Sequence, residues 1–233
     1  MEIQKILARC DHTLLRQDCR SEEISLLCDQ AIRFGCASVC IPPIHEAGAK
    51  RYVGPRMGVC TVIGFPNGYA TSAVKAFEAA DAVRQGADEV DMVVNLCMVK
   101  DRCWGDVLAD ITAVRNAVPG RILKVIVEAC LLSEWEKTEL CRVVSDSGAD
   151  FIKTSTGFSS GGATAADVAL MRRVCAQHVR VKAAGGISSF EFARQLLEAG
   201  ADRLGASRLV KIAEEMESSE SEDCKADGQN GDE

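Results

Sequence analysis

Short apolar runs alternate with amphipathic stretches along almost the whole chain. Runs such as residues 58–63 and 89–94 are rich in Val, Ile, Met and Cys, a composition typical of strands that are buried on both faces. Stretches such as residues 21–34 repeat apolar residues at every third or fourth position, which predicts helices with one buried face. The pattern therefore predicts eight strands with helices between them.

The predicted boundaries follow glycine, proline and capping signals. The strands are predicted at residues 6–10 (leading into 11–13), 37–41, 58–63, 89–94, 122–128, 149–153, 179–183 and 203–207. The helices are predicted at residues 21–34, 45–50, 72–85, 104–117, 133–147, 164–177 and 188–198, with a last helix ending near residue 216. Ser133, Thr164 and Ser188 are the expected caps of three of them. The helix at 72–85 is expected to bury Val74, Phe77 and Ala80.

A short motif repeats where helices end and strands begin. Gly-Ala-Asp starts at Gly86, Gly148 and Gly200, and Gly35 opens a looser copy. Each interval between copies has room for two strand–helix units, and such repetition indicates parallel strands covered by helices. Eight units in 233 residues favour an α/β fold of the (β/α)8 TIM-barrel type over an open sheet. One domain is expected to span residues 1–216.

Charge is unevenly distributed along the chain. The formal net charge is −7, and the segment from Glu214 onward contains nine acidic residues and one lysine. Residues 217–233 have no apolar periodicity, so they are predicted to form an acidic, disordered tail. Because the chain has no basic stripe and no apolar run of membrane-spanning length, neither nucleic acid nor a membrane is an expected partner.

The twelve cysteines stand singly, without any CxxC pair, and several occupy positions where Cys acts as a small apolar residue. The first residues contain no apolar signal segment. Both features favour reduced thiols in the cytoplasm over a disulfide framework. The three histidines are scattered, so no metal ion and no other cofactor is expected.

The strand at residues 149–153 ends in Lys153, and a hydroxyl-rich loop follows it as far as Gly157. Burial of a lysine charge is costly and lowers the pKa, which leaves a neutral amine that can form a Schiff base with a carbonyl substrate. The alternative is a structural lysine that reaches water from the strand end or pairs with a carboxylate.

Further charged residues lie on predicted strands, where they would face the mouth of a barrel. With Lys153, they are Asp11, Asp91, Lys124 and Lys182. Each charge could separately form a salt bridge in the barrel interior. Together, three ammonium groups would lower one another's pKa, and a carboxylate beside them would move protons through water.

Two loops near the end of the chain predict a phosphate site. Gly185 and Gly186 precede one predicted helix, and the segment from Gly205 to Ser207 precedes the next. Backbone N–H groups at helix N-termini after the seventh and eighth strands form the usual phosphate site of such barrels. A phosphorylated small molecule is therefore the expected ligand.

Six motifs in chain order resemble those of the deoxyribose-phosphate aldolase family. They span residues 11–15, 59–66, 86–95, 123–128, 151–157 and 181–186. The resemblance implies a metal-free, class I lyase (an aldehyde-lyase) with a phosphosugar substrate. It would interconvert 2-deoxy-D-ribose 5-phosphate with D-glyceraldehyde 3-phosphate and acetaldehyde, and a homodimer would be a common assembly.

The resemblance also implies roles for single residues. Lys153 matches the Schiff-base lysine, Lys182 the second lysine that keeps the pKa of the first one low, and Asp91 the aspartate of the proton relay. Asp11 and Lys124 match polar residues that line the same site. The matches to the phosphate-binding loops are Gly157, Gly185, Gly186, Gly205 and Ser207.

The chain departs from the family pattern at two points. Some members end in a tyrosine that reaches the site, whereas the tyrosines here are Tyr52 and Tyr69 and the chain ends in acidic residues. Some members carry a lysine directly after the Thr-Gly loop, where this chain has Phe158. Both departures bear on phosphate affinity and on the rate of proton transfer.

Two alternatives stay open. A different phosphosugar lyase or isomerase on the same barrel, such as a metal-dependent aldolase, would lose activity in EDTA. A catalytically inactive barrel that recruits partners through its acidic tail would show binding that depends on residues 217–233 and no cleavage. The presence of Lys153, Lys182 and Asp91 speaks against the second alternative.

Overall fold

Eight parallel strands close into a barrel in chain order, and the first strand pairs with the last. The computed structural model describes residues 2–227 and the side chains of residues 2–219. The strands are β1 (Cys10–Thr13), β2 (Ser38–Ile41), β3 (Gly58–Ile63), β4 (Glu89–Val93), β5 (Ile122–Ile126), β6 (Phe151–Lys153), β7 (Arg180–Ala184) and β8 (Arg203–Ala206). The predicted (β/α)8 barrel is confirmed.

Helices cover the outside of the barrel. They are α1 (Ile3–Leu7), α2 (Ser21–Arg33), α3 (Glu46–Val53), α4 (Ser72–Gln85), α5 (Leu96–Lys100), α6 (Trp104–Ala117), α7 (Glu134–Asp146), α8 (Ala165–Val174), α9 (Phe190–Glu198) and α10 (Leu209–Asp227). Three short 3₁₀ turns stand at Pro43–His45, Gly54–Arg56 and Ala129–Leu131. Neither α1 nor α5 is predicted by periodicity, because five residues are too few to establish a helical repeat.

The two faces of each strand differ in chemistry. On β4, Val90 and Met92 belong to the main apolar core between the strands and the helices. The alternate residues Glu89 and Asp91 point into the barrel, where both pair with Lys124 of β5. The strands therefore bury both faces, and the interior holds the charged residues.

Two of the three caps named above are confirmed. Ser133 and Glu136 form the predicted capping box of α7, and the Thr164 side chain caps α8. The prediction of Ser188 as the cap of α9 is wrong, because the Ser189 hydroxyl accepts the hydrogen bond from the Phe192 N–H. The chain enters this helix one residue later than the capping-box spacing indicates.

The predicted buried face of α4 is also wrong. Val74 and Phe77 are exposed, and the buried residues on this helix include Lys75 and Ala79. Lys75 Nζ lies 2.7 Å from Asp110 Oδ2 of α6, and both side chains are fully buried. This ion pair turns the lysine toward α6, and the large apolar residues consequently face solvent.

The end of the chain differs from the expected boundary near residue 216. Leu209, Val210 and Ala213 anchor α10 in the core, and the helix continues to Asp227. The predicted tail at 217–233 lies partly outside the described residues, and its separation from the barrel domain stays a prediction. Among residues 2–227, no helix has the length and apolar content needed to cross a membrane.

Candidate active site

Asp91 lies at the centre of the charged interior and contacts three lysines. Its Oδ1 atom is 2.6 Å from Lys124 Nζ, and its Oδ2 atom is 2.8 Å from both Lys153 Nζ and Lys182 Nζ. The strand register explains this cluster, because Asp91 is the direct partner of Lys124, and Lys153 is the direct partner of Lys182. The structure thus brings together the three residues predicted to be catalytic.

The three lysines differ in depth. The side chains of Lys124 and Lys182 are fully buried, whereas that of Lys153 is 4% exposed. Lys153 stands at the last position of β6 and lines a pocket of about 440 Å³ at the barrel mouth. Of these three amines, it is therefore the one that a molecule in the pocket can reach.

Further charged side chains lie next to the cluster of Asp91 and its three lysines. Asp11 Oδ2 lies 2.5 Å from Lys182 Nζ, and Asp11 Oδ1 lies 2.5 Å from Arg203 Nη1. Glu89 Oε2 lies 2.6 Å from Lys124 Nζ. Asp11 and Lys124 were expected to line the substrate site, but both are fully buried beneath the pocket. Their contacts are with other charged side chains, because they sit one layer deeper in the barrel.

The protonation states of the cluster follow from these contacts. Burial would raise the pKa of Asp91, but the ammonium groups of Lys124, Lys153 and Lys182 hold it well below its ordinary value. Burial would lower the pKa of Lys182, yet the Asp11 and Asp91 carboxylates raise it above its ordinary value. Lys182 is therefore a persistent cation beside Lys153.

The predicted phosphate loops meet at the same pocket. Gly157, Gly185, Gly186, Gly205 and Ser207 all line it together with Lys153. Gly185 has φ +85°, and a Cβ atom there would lie 3.1 Å from Gly162 Cα of the preceding loop. A Cβ atom at Gly205 would lie 3.2 Å from Lys182 Cε, so this glycine leaves room for the buried lysine. Backbone N–H groups can thus surround an anion close to the Lys153 amine.

Comparison with known proteins identifies relatives over nearly the whole chain. The model of the DeoC/LacD family aldolases matches residues 5–213. The chain belongs to this family. A deoxyribose-phosphate aldolase of Clostridioides difficile strain 630 is 47% identical over 210 residues, which are 90% of this chain and 96% of the relative. A deoxyribose-phosphate aldolase of Streptococcus agalactiae serotype Ia is 50% identical over 212 residues, or 91% and 95% of the two chains.

Solved structures of aldolases share the fold. The tetrameric deoxyribose phosphate aldolase from Aeropyrum pernix superposes with a TM-score of 0.83 at 30% identity, over 93% of each chain. An aldolase named QR15 superposes with a TM-score of 0.86 at 37% identity, over 91% of this chain and 95% of its own. The match to the DeoC/LacD family therefore extends from sequence to structure.

Sequence reasoning missed two residues in or next to the pocket, Glu128 and Arg208. Glu128 was expected in a strand, but β5 ends at Ile126 and Glu128 has the left-handed φ of +52°. Its carboxylate accepts hydrogen bonds from the N–H and the hydroxyl of Thr156, which fixes the loop before Gly157. Arg208 lines the pocket beside Ser207. A positive charge next to a predicted phosphate loop was the available signal for Arg208, whereas periodicity gave none for Glu128.

One group of side chains has the composition of a metal site. Donor atoms of Cys40, Cys60 and Asp91 lie within 4.8 Å of one another. Both Asp91 oxygens already accept hydrogen bonds from ammonium groups, and Lys124 Nζ also lies 3.2 Å from Cys60 Sγ. A divalent cation fits poorly among these positive charges.

Proposed function

We propose that the chain is a deoxyribose-phosphate aldolase, a lyase that reversibly cleaves 2-deoxy-D-ribose 5-phosphate to D-glyceraldehyde 3-phosphate and acetaldehyde. The observation that carries this proposal is a single pocket that combines a reachable amine, Lys153, with two glycine-rich anion loops. The amine can react with the aldehyde end of a phosphorylated sugar, and the loops can bind its phosphate end. The names of the relatives reported above support the same substrate.

The position of Lys153 in the ion-pair network makes it the nucleophile of this proposal. Lys124, Lys153, Lys182 and Arg203 are the cationic members of the network, and Asp11, Glu89 and Asp91 are the anionic ones. Of the four cationic side chains, Lys153 is the one that lines the pocket, so its amine is the one that faces the substrate.

The reaction begins when the Lys153 amine attacks the aldehyde carbon, C1. Loss of water gives an iminium ion, which withdraws electrons from the bond between C2 and C3. The proton of the C3 hydroxyl leaves, the C2–C3 bond breaks, and D-glyceraldehyde 3-phosphate departs. Protonation of the remaining enamine at C2 and addition of water release acetaldehyde and restore the amine.

Lys182 and Asp91 have supporting roles in this proposal. Lys182 places a persistent positive charge beside Lys153, on the same oxygen of Asp91. Asp91 accepts hydrogen bonds from both amines through one oxygen, and it relays protons to the substrate through water. General acid–base catalysis of this kind contributes about 10²- to 10⁴-fold to a rate.

Location and assembly belong to the same proposal. We place the enzyme in the cytoplasm as a homodimer, with no metal ion and no other cofactor in the reaction. Eleven free cysteines in the described part of the chain suit a reducing compartment. Size-exclusion chromatography with light scattering measures the assembly directly, and a monomer or tetramer would contradict the dimer.

The test is release of acetaldehyde from 2-deoxy-D-ribose 5-phosphate in the presence of EDTA. The wild-type chain is expected to release it at the same rate with and without EDTA. Lys153→Ala should lower kcat by more than about 10³-fold, because the covalent step is lost. Lys211→Ala is the control, since the Lys211 side chain is 75% exposed. Loss of wild-type activity in EDTA, or full activity of Lys153→Ala, would contradict the proposal.

A further inference from the structure

Two cysteines lie side by side beneath the pocket and take no part in the proposed cleavage. Cys40 of β2 and Cys60 of β3 are direct partners in the register of these neighbouring strands. Both are fully buried, and they form a small apolar cluster with Val62, against which Leu15 and Phe65 pack. Their Sγ atoms lie within 4.8 Å of each other.

The strand geometry suits a bond between these two sulfur atoms. Neighbouring strands lie about 4.8 Å apart, and the Cα atoms of a disulfide are usually about 4.4–6.8 Å apart. Because Cys40 and Cys60 are register partners, their side chains leave the sheet on the same face. The spacing of the two strands is therefore within the range that a disulfide requires.

Positive charge lies beside both sulfur atoms. Lys124 Nζ is 3.2 Å from Cys60 Sγ, and Lys182 Nζ contacts Asp91, whose carboxylate lies within 4.8 Å of both sulfur atoms. Nearby cations favour the thiolate, which is the form of a thiol that attacks an oxidant.

We propose that Cys40 and Cys60 are a redox-modifiable dithiol, which a peroxide converts to a disulfide that inactivates the enzyme. The thiolate of one cysteine attacks one peroxide oxygen, the O–O bond breaks, and the departing hydroxide takes a proton to form water. The sulfur of the other cysteine then attacks the resulting sulfenic acid, and a second water leaves as the S–S bond forms. The two sulfurs lose two electrons, and one hydrogen peroxide gains them.

The disulfide changes the contacts of Asp91. In the reduced state, Cys60 Sγ lies 3.2 Å from Asp91 Oδ1 and 3.2 Å from Lys124 Nζ. Formation of the S–S bond turns this sulfur toward Cys40 and removes its thiol proton, so Asp91 loses a hydrogen-bond donor. Asp91 also accepts hydrogen bonds from Lys153 and Lys182, so this change in its contacts is expected to lower turnover. This consequence rests on the proposed function, whereas disulfide formation does not.

A second cysteine pair provides a matched comparison. Cys175, directly after α8, donates a hydrogen bond from its thiol to the backbone carbonyl of Cys141 on α7, and both residues are buried on the outer side of the barrel. Neither residue contacts the charged cluster. Oxidation of this pair is not expected to affect turnover, so Cys141→Ser serves as the control variant.

The experiment treats the full chain with graded hydrogen peroxide and measures two quantities on each sample. One is the fraction of the Cys40 and Cys60 peptides that are linked, read by mass spectrometry without reduction. The other is acetaldehyde release, divided by that of the same untreated protein. Wild type and Cys141→Ser are expected to lose at least about tenfold in activity as the linked peptide accumulates, and dithiothreitol should reverse both changes.

The variants decide the cause of inactivation. Cys40→Ala and Cys60→Ala should keep their own untreated activity at the same peroxide dose. Absence of the linked peptide at inactivating doses, or equal inactivation of Cys40→Ala, would overturn the switch. Full linkage without loss of activity would overturn it as well. If the untreated chain releases no acetaldehyde, the proposed function fails, and the peptide masses still decide whether the disulfide forms.

Discussion

At the scale of single residues, the site depends on where one lysine ends its strand. Lys153 occupies the last position of β6, so its amine reaches the pocket, whereas Lys124 and Lys182 sit deeper and stay buried. This placement could be predicted, because a lysine that ends an apolar strand just before a polar loop points to the barrel mouth. The depth of Asp11 and Lys124 could not, since sequence gives strand position only to within a few residues.

Phe158 is the residue at which this chain departs most clearly from the family pattern. Its ring lines the pocket and meets Phe65 edge to face, with ring centroids 5.2 Å apart. It supplies no charge to a phosphate group. In this chain, Arg208 lines the same pocket and is positioned to supply one.

Phe158→Lys should therefore strengthen binding of the phosphorylated substrate. We expect KM for 2-deoxy-D-ribose 5-phosphate to fall about three- to tenfold, since a charge-assisted contact contributes about 1 kcal/mol at a partly exposed site. KM for unphosphorylated 2-deoxyribose, measured in parallel, should not fall. Arg208→Gln is the opposite control, with a raised KM for the phosphorylated sugar alone. A similar change for both sugars would contradict the assignment of this end of the pocket to the phosphate.

At the scale of elements, the ends of a helix were easier to predict than the face that it buries. The ends of α4 match the sequence pattern, yet its buried face was wrong because Lys75 pairs with Asp110 across the interface with α6. Periodicity counts apolar residues, and it cannot register a buried charge whose partner is distant in sequence. The caps of α7 and α8 were right because capping is a contact between near neighbours in sequence.

The first residue of α3 predicts a pH-dependent stability. Glu46 is fully buried, and neither of its carboxylate oxygens has a hydrogen-bond partner among the described residues. Burial raises the pKa of Glu46 to about 8, with smaller contributions from Asp81 and Asp88. The folded state therefore holds a proton that the unfolded chain releases above its ordinary pKa of 4.5. The free energy of unfolding should fall as pH rises from about 4.5 to about 8.

Glu46→Gln removes this penalty and should stabilise the fold increasingly over the same range. We expect little gain in the free energy of unfolding at pH 4.5 and on the order of 4 kcal/mol at pH 8. Urea unfolding at several pH values measures it. Glu22→Gln is the matched control, since the Glu22 side chain is 84% exposed. An equal gain at every pH would show that the effect comes from shape and not from charge.

At the scale of the whole molecule, the repeated Gly-Ala-Asp motif was the feature that made barrel closure predictable. Gly86, Gly148 and Gly200 all have positive φ and stand where a helix turns into the next strand. The ion-pair network inside the barrel could be predicted as a set of residues, because its members lie on successive strands. Which of these residues contact one another could not be predicted, because the contacts of Asp91 depend on the register of five strands.

The end of the chain offers a prediction about the whole fold. The buried side chains of Leu209 and Val210 hold the start of α10 in the core, and the Gln30 amide donates a hydrogen bond to Glu214. Arg33 also pairs with Glu217. Removal of residues 220–233 should therefore leave the melting temperature within about 2 °C of the full chain, with kcat/KM unchanged. A shorter chain that ends at residue 208 is the contrasting variant and should be strongly destabilised.

A loss of activity on removal of residues 220–233, with the melting temperature unchanged, would contradict the barrel as a self-sufficient catalytic domain. A fall in melting temperature of several degrees would instead place part of the stability in the removed segment.

The central claim is that Lys153 captures an aldehyde covalently. The most direct measurement is borohydride reduction in the presence of acetaldehyde, followed by peptide mass mapping. The account predicts a peptide heavier by one ethyl group at Lys153, absent from Lys153→Ala and from samples without acetaldehyde. Unmodified Lys153 in an active enzyme, or an ethyl group on Lys182 in its place, would contradict the account.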